Sequence, residues 1–199
     1  PPGAGVAGQF YSEAVMDPVS QGVVGAAFAQ TAARRAKIAT VAWYGAIGGM
    51  APDIDVLSQS STDPLLFLEY HRQFTHSLVL IPIGALVVFM LLWALARRLP
   101  WLGGLSRREA YLACLMGYAT HGLLDACTSY GTQLLWPFAD TRIAWDTMSI
   151  VDPLFTLPIL LLVVAASWTR RRWLVWLACV WMMSFFTLGW WQHERALWA

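Results

Sequence analysis

Most of the residues able to do chemistry stand in four short stretches. APDID holds Asp53 and Asp55, HRQFTHS holds His71, Arg72, Thr75, His76 and Ser77, and ATHGLLDACTSYG holds His121 and Asp125. The stretch that follows adds Asp140, Arg142, Asp146 and Asp152. His121 and Asp125, four residues apart, share one face of a helix. His71 and His76 do not: five residues advance a helix by about 500°, leaving the rings about 140° apart, so the chain has to turn between them. Pro52 disfavours helix at Ala51, and on an extended segment Asp53 and Asp55 would project together. Imidazoles and carboxylates arriving from three separate elements are the ligand types of a zinc or manganese hydrolytic centre. An ion there would also offset the repulsion among the carboxylates.

Other groups in these stretches suit supporting roles. Asp146 or Asp152 is a candidate general base for a metal-activated water. Arg72 and Arg142 offer planar forks to an anionic phosphate, or salt bridges to the neighbouring acids. Thr75, Ser77, Thr120 and Thr128 are expected to orient ligands or cap helices rather than to act as nucleophiles. Cys114, Cys127 and Cys179 form no CxxC pair and read as small packing residues.

The elements that must position these residues are apolar. Of 199 residues 58% are hydrophobic and only 13% charged, about half the charged share of an ordinary soluble domain. The mean hydropathy is +0.53, and twelve tryptophans suit two interfacial belts. The pattern predicts an all-α, polytopic membrane bundle of about five to six segments, in one domain over residues 16–199. Residues 77–96, 153–168 and 173–191 are long enough to span, and 109–125 form a weaker segment closed by His121 and Asp125. Two segments rich in small residues, 19–33 and 38–50, suit close helix packing and are expected to be short or re-entrant. Residues 1–15 have no basic or apolar signal region and read as a leader or remnant outside the domain.

Charge placement orients the bundle. Arg34, Arg35, Lys37, Arg97, Arg98, Arg107, Arg108, Arg170, Arg171 and Arg172 fall in alternate loops, ten of the thirteen basic residues. The positive-inside rule makes that side cytoplasmic, as expected of a bacterial inner-membrane protein. Of the acids only Glu109 belongs there, and all four histidines lie toward the other end. Ionisable groups collected at membrane depth call for a functional explanation.

With MDPVSQGVVGAAFAQ, PDID at 52–55, HRQFTHS at 71–77, THGLLDACTSYGTQLLWPF at 120–138 and IVDPLFTLP at 150–158, the chain resembles the membrane-bound metal-dependent hydrolases. These are inner-membrane hydrolases of the kind described as binding the LexA repressor. The resemblance covers residues 16–161. It implies a helical membrane protein with His71, His76, His121, Asp53, Asp55 and Asp125 as metal ligands. Where many relatives carry a histidine this chain has Gln21, which leaves Gln21 and Asp17 to support the ligands rather than supply one.

The expected function is hydrolysis of a phosphoester or lipid-derived substrate by a metal-activated water at the non-cytoplasmic face. The expected cofactor is one or two divalent ions, zinc first, with manganese or magnesium as alternatives. Membrane lipids are the expected partners, and no direct nucleic-acid binding is expected. Two rivals share the ligand cluster: a metal transporter, and an interaction or regulatory protein in which the ion only staples loops. The first is disfavoured because 83–95 and 174–189 contain no Asp, Glu, His, Lys or Arg and only Ser184 and Thr187 as hydroxyls.

Overall fold

The structure, a computed structural model, describes residues 17–58 and 72–198. The leader expected at 1–15 and the candidate ligand His71 lie outside the described residues. Among the described residues there are six α-helices and no strand: α1 Pro18–Ala32, α2 Ile38–Met50, α3 Ile81–Leu95, α4 Arg107–Ala126, α5 Pro153–Thr169 and α6 Arg172–Leu197. Short 3-10 turns occupy Arg35–Lys37, Ala51–Ser58 and Pro100–Leu102.

Local chemistry fixes where these helices begin. Asp17 caps α1 by accepting from Val19 N at 3.1 Å, with Pro18 at the first helical position. Ser106 and Glu109 form a reciprocal capping box at the start of α4. Asp152 caps α5, its Oδ1 accepting from Leu154 N at 2.9 Å and Phe155 N at 3.1 Å. α5 stops where Arg170 turns left-handed, at φ 55°.

The tightest packing joins α1, α2 and α4, and it is made by glycine. A Cβ on Gly25 would stand 2.5 Å from Gly45 O, and one on Gly117 would stand 2.0 Å from the same carbonyl. Backbones can therefore touch only where these side chains are absent. α3 packs on α4 through Ala85, Val88 and Leu92, and α6 packs on α5 through Leu174, Val175, Ala178 and Met182. The rest of α3 and α6 turns large apolar side chains outward, among them Ile83, Leu91, Val180 and Met183. α6 is the one described helix long and apolar enough, by length and composition, to cross a bilayer.

The segment expected to span at 77–96 is helical only over Ile81–Leu95. Its 15 residues give about 22 Å of helix, short of the roughly 30 Å of a hydrocarbon core. Residues 72–80 are spent on turns instead, and those turns carry the site.

The ends of the helices divide by charge. At one end Lys37 Nζ lies 2.8 Å from Glu109 Oε2, and Arg172 Nη2 donates to Thr31 O at 2.8 Å. These contacts join the loop at 34–37 to the start of α4, and the start of α6 to the end of α1. At the other end the long connection 127–152 folds over the turns before α3. Gln133 N donates to Arg72 O at 3.1 Å, Leu78 N to Leu134 O at 3.0 Å, and Trp145 N to Ala126 O at 2.7 Å. A single bridge, Thr132 to Ile143, pins the connection to itself.

Candidate metal centre

Asp53, His76, His121 and Asp125 each offer one ligand atom, and the four atoms lie within 4.8 Å of one another. Three elements deliver them: the 3-10 turn after α2, the turns before α3, and the last two turns of α4. His76 Nε2 is 2.8 Å from His121 Nε2, 3.0 Å from Asp125 Oδ2 and 3.6 Å from Asp53 Oδ1. His121 Nε2 is 3.2 Å from Asp53 Oδ1 and 3.6 Å from Asp125 Oδ2. Tetrahedral ligands about 2.0 Å from a shared ion stand about 3.3 Å apart, and these separations bracket that value.

The second nitrogen of each ring settles which way the first one faces. His121 Nδ1 hydrogen-bonds Gly49 O, and a carbonyl only accepts, so the proton sits on Nδ1. For His76, Thr75 Oγ1 donates its one proton to Asp55 Oδ2 at 3.0 Å, so at 2.9 Å it accepts from His76 Nδ1. Both neutral rings therefore turn an Nε2 lone pair into the same space. Lone pairs 2.8 Å apart repel unless a cation lies between them. Asp53 Oδ1 and Oδ2 and Asp125 Oδ2 are buried without a hydrogen bond, which fits the same cation. The residues present thus suit a divalent ion.

Burial and charge act together here. Without an ion, burial disfavours charge on His76, but the Asp125 and Asp53 carboxylates outweigh it and push the imidazole up to about 9. Burial likewise raises Asp53, yet the His121 and His76 rings beside it hold it well below the ordinary carboxylate range. A proton can stand in for the metal between the two rings.

The surrounding residues hold the carboxylates. Gln21 Nε2 donates to Asp125 Oδ1 at 2.8 Å, leaving Oδ2 for the cluster. Arg72 is fully buried, with Nε 3.3 Å from Asp125 Oδ2 and Nη1 3.4 Å from Thr128 Oγ1. Of its two expected roles the structure supplies the salt bridge. Arg142 stacks on Tyr130, its Cζ 4.6 Å from the ring centre, and Arg72 approaches the same ring at 5.0 Å.

The other sequence candidates stand apart from the four. Asp53 and Asp55 do not project together from an extended segment, because Ala51–Ser58 is a 3-10 helix. At three residues per turn, positions two apart diverge. Asp53 faces the two Nε2 atoms, whereas Asp55 meets the Nδ1 side of His76 at 3.6 Å and accepts from Arg72 N at 3.1 Å. Asp152 is spent on the α5 cap, and Asp146 is exposed, with a left-handed backbone at φ 47°. Asp17 caps α1. The expected turn at HRQFTHS is present, with Arg72 left-handed at φ 61°. The Gly49 carbonyl carried no sequence signal, since any residue supplies one.

The chain is 27% identical over 106 residues to "Uncharacterized protein YfhP" of Bacillus subtilis (strain 168), a match covering 53% of this chain and 30% of that protein. The match thus spans under a third of that relative's length, and no solved structure matches. The family described as YdjM inner membrane protein matches residues 16–196, nearly the whole chain, which places the paired imidazoles in a membrane protein: the chain belongs to the YdjM inner membrane protein family.

Proposed function

We propose that the chain is a metal-dependent membrane hydrolase acting on a phosphoester of lipid origin at the non-cytoplasmic face. The observation that carries it is the pair of Nε2 lone pairs turned toward each other between two carboxylates. His76, His121, Asp125 and Asp53 would hold the ion, zinc first and manganese or magnesium next. When bound, such an ion lowers the pKa of a water and polarises the scissile ester. Asp53 is the ligand residue least enclosed, with 11% of its side chain exposed although both carboxylate oxygens are buried. Gln21 and Arg72 keep the Asp125 carboxylate oriented throughout. Of the two candidate bases, Asp146 stays available: it follows Trp145, whose N–H donates to Ala126 O one residue past Asp125.

The polytopic arrangement belongs to the same proposal, with the basic loops cytoplasmic. Repressor binding, which the resemblance also implies, would then fall to the basic side. Burial favours one second reading. His76, His121 and Asp125 are all at most 2% exposed, as in an ion that only staples turns together.

Elemental analysis of the purified protein, with hydrolysis of lipid phosphoesters under added zinc or manganese, separates these possibilities. Bound metal and turnover are both expected, and both should vanish in His76→Ala and His121→Ala that remain folded. Metal with no turnover on any phosphoester supports the staple. A metal-free wild type, or variants hydrolysing at the wild-type rate, would overturn the proposal.

A further inference from the structure

Asp55 stands in the ligand set that the resemblance implies, yet its geometry is that of a different part. We propose that Asp55 is the positioning carboxylate of the centre, acting through the Thr75 hydroxyl on His76, and is not itself a ligand. The proposal rests on the metal reading above. Asp55 Oδ2 accepts from Thr75 Oγ1 at 3.0 Å and from Arg72 N at 3.1 Å. Both donors belong to the turns that carry His76. The same oxygen is 3.6 Å from His76 Nδ1, the ring nitrogen that faces away from His121. A carboxylate there cannot reach the space between the two Nε2 atoms without leaving these donors.

Each link has one direction. The carboxylate only accepts, so the Thr75 proton points at Asp55, and the Thr75 oxygen is left to accept from His76 Nδ1. The relay thus selects the tautomer whose Nε2 is bare. His121 reaches the same state through a backbone carbonyl, which no substitution can remove. His76 sits on a turn rather than a helix, and its orientation depends on side chains that can be changed one at a time. Arg72 adds the backbone half of the device: its left-handed φ of 61° directs its N–H at Asp55. Such outer carboxylates raise ligand basicity and fix ring orientation, and losing one costs about 10- to 100-fold in metal affinity.

The test is Co²⁺ titration of the full chain in detergent, read by its d–d absorption, with Asp55→Asn, Thr75→Val, Thr75→Ser and Asp53→Asn. Asp55→Asn and Thr75→Val are expected to bind Co²⁺ about 10- to 100-fold more weakly, with the wild-type band positions and intensity at saturation. Thr75→Ser keeps the hydroxyl and should restore wild-type affinity, even if Asp55→Asn proves too unstable to purify. Asp53→Asn should change the spectrum itself. The proposal fails alone if Asp55→Asn alters the saturated spectrum as Asp53→Asn does, or if Thr75→Val binds as tightly as wild type. It fails together with the metal reading if the wild type takes up no Co²⁺.

Discussion

At the scale of single residues, the candidate site offers two imidazole nitrogens for which a proton and a cation would compete. His76 in the ion-free fold titrates near 9, above its usual 6.5, so the charged imidazole contributes stability that is complete below about 6.5. That contribution is lost as pH rises toward 9. Asp53 has the opposite sign: its folded value is depressed, so its contribution is present at neutral pH and lost only in acid. Metal binding must displace the His76 proton and therefore strengthens over the same window, by up to about tenfold per pH unit for one proton. The gap in Tm between metal-loaded and chelated protein should widen from pH 6 to pH 8. A constant or narrowing gap in thermal melts would contradict the proton-for-metal exchange. The four clustered side chains all stand among the histidines and carboxylates that residue type, spacing and the family resemblance single out. What separates Asp53 from Asp55 is not legible there, because that depends on whether the chain after Pro52 is extended or coiled.

At the scale of elements, the glycines set the distance that the site needs. Gly117 lies one turn before His121 on α4, and Gly45 lies one turn before Gly49 on α2. Gly117→Ala would drive a methyl into the Gly45 carbonyl, whose backbone has no room to yield. The expected loss is about 1–3 kcal/mol, together with weaker metal binding as the His121 bond to Gly49 O stretches. Leu112→Ala, on an exposed position of the same helix, should change neither. Chemical denaturation with metal titration checks both. The cap at Asp152 makes the complementary case: Asp152→Ala should cost about 1 kcal/mol of stability and leave metal affinity as it was. A fall in affinity on that substitution would place Asp152 nearer the ion than its cap allows. Helix limits were read closely wherever a cap or a run of small residues marked them, as at 38–50. The stretch 77–96 was read too long, since apolar composition says nothing about residues 77–80 being needed for turns.

At the scale of the whole molecule, one end joins basic loops and the other joins carboxylates and imidazoles. Lys37 and Arg34 meet Glu109, and Arg172 meets the end of α1, so the basic end is a packed surface as well as a charge pattern. Tryptophans mark both ends of the α5–α6 pair, Trp168 and Trp173 at the basic end and Trp190, Trp191 and Trp198 at the other, all exposed. Between them α3 and α6 present apolar side chains with no protein cover among the described residues. In a member of an inner-membrane family, lipid is the natural solvent for such faces, and the proposed orientation, with the arginine loops in the cytoplasm, is open to a direct test. Arg98 and Phe138 are exposed reporters of the two ends. In a background with Cys179→Ala, where the remaining Cys114 and Cys127 are buried, Arg98→Cys should react with a membrane-impermeant maleimide only in inside-out vesicles. Phe138→Cys should react only in intact spheroplasts. Labelling of both from one side would rule out a bundle that crosses between them, and the reverse pattern would put the metal centre in the cytoplasm, where a substrate from the outer leaflet could not reach it.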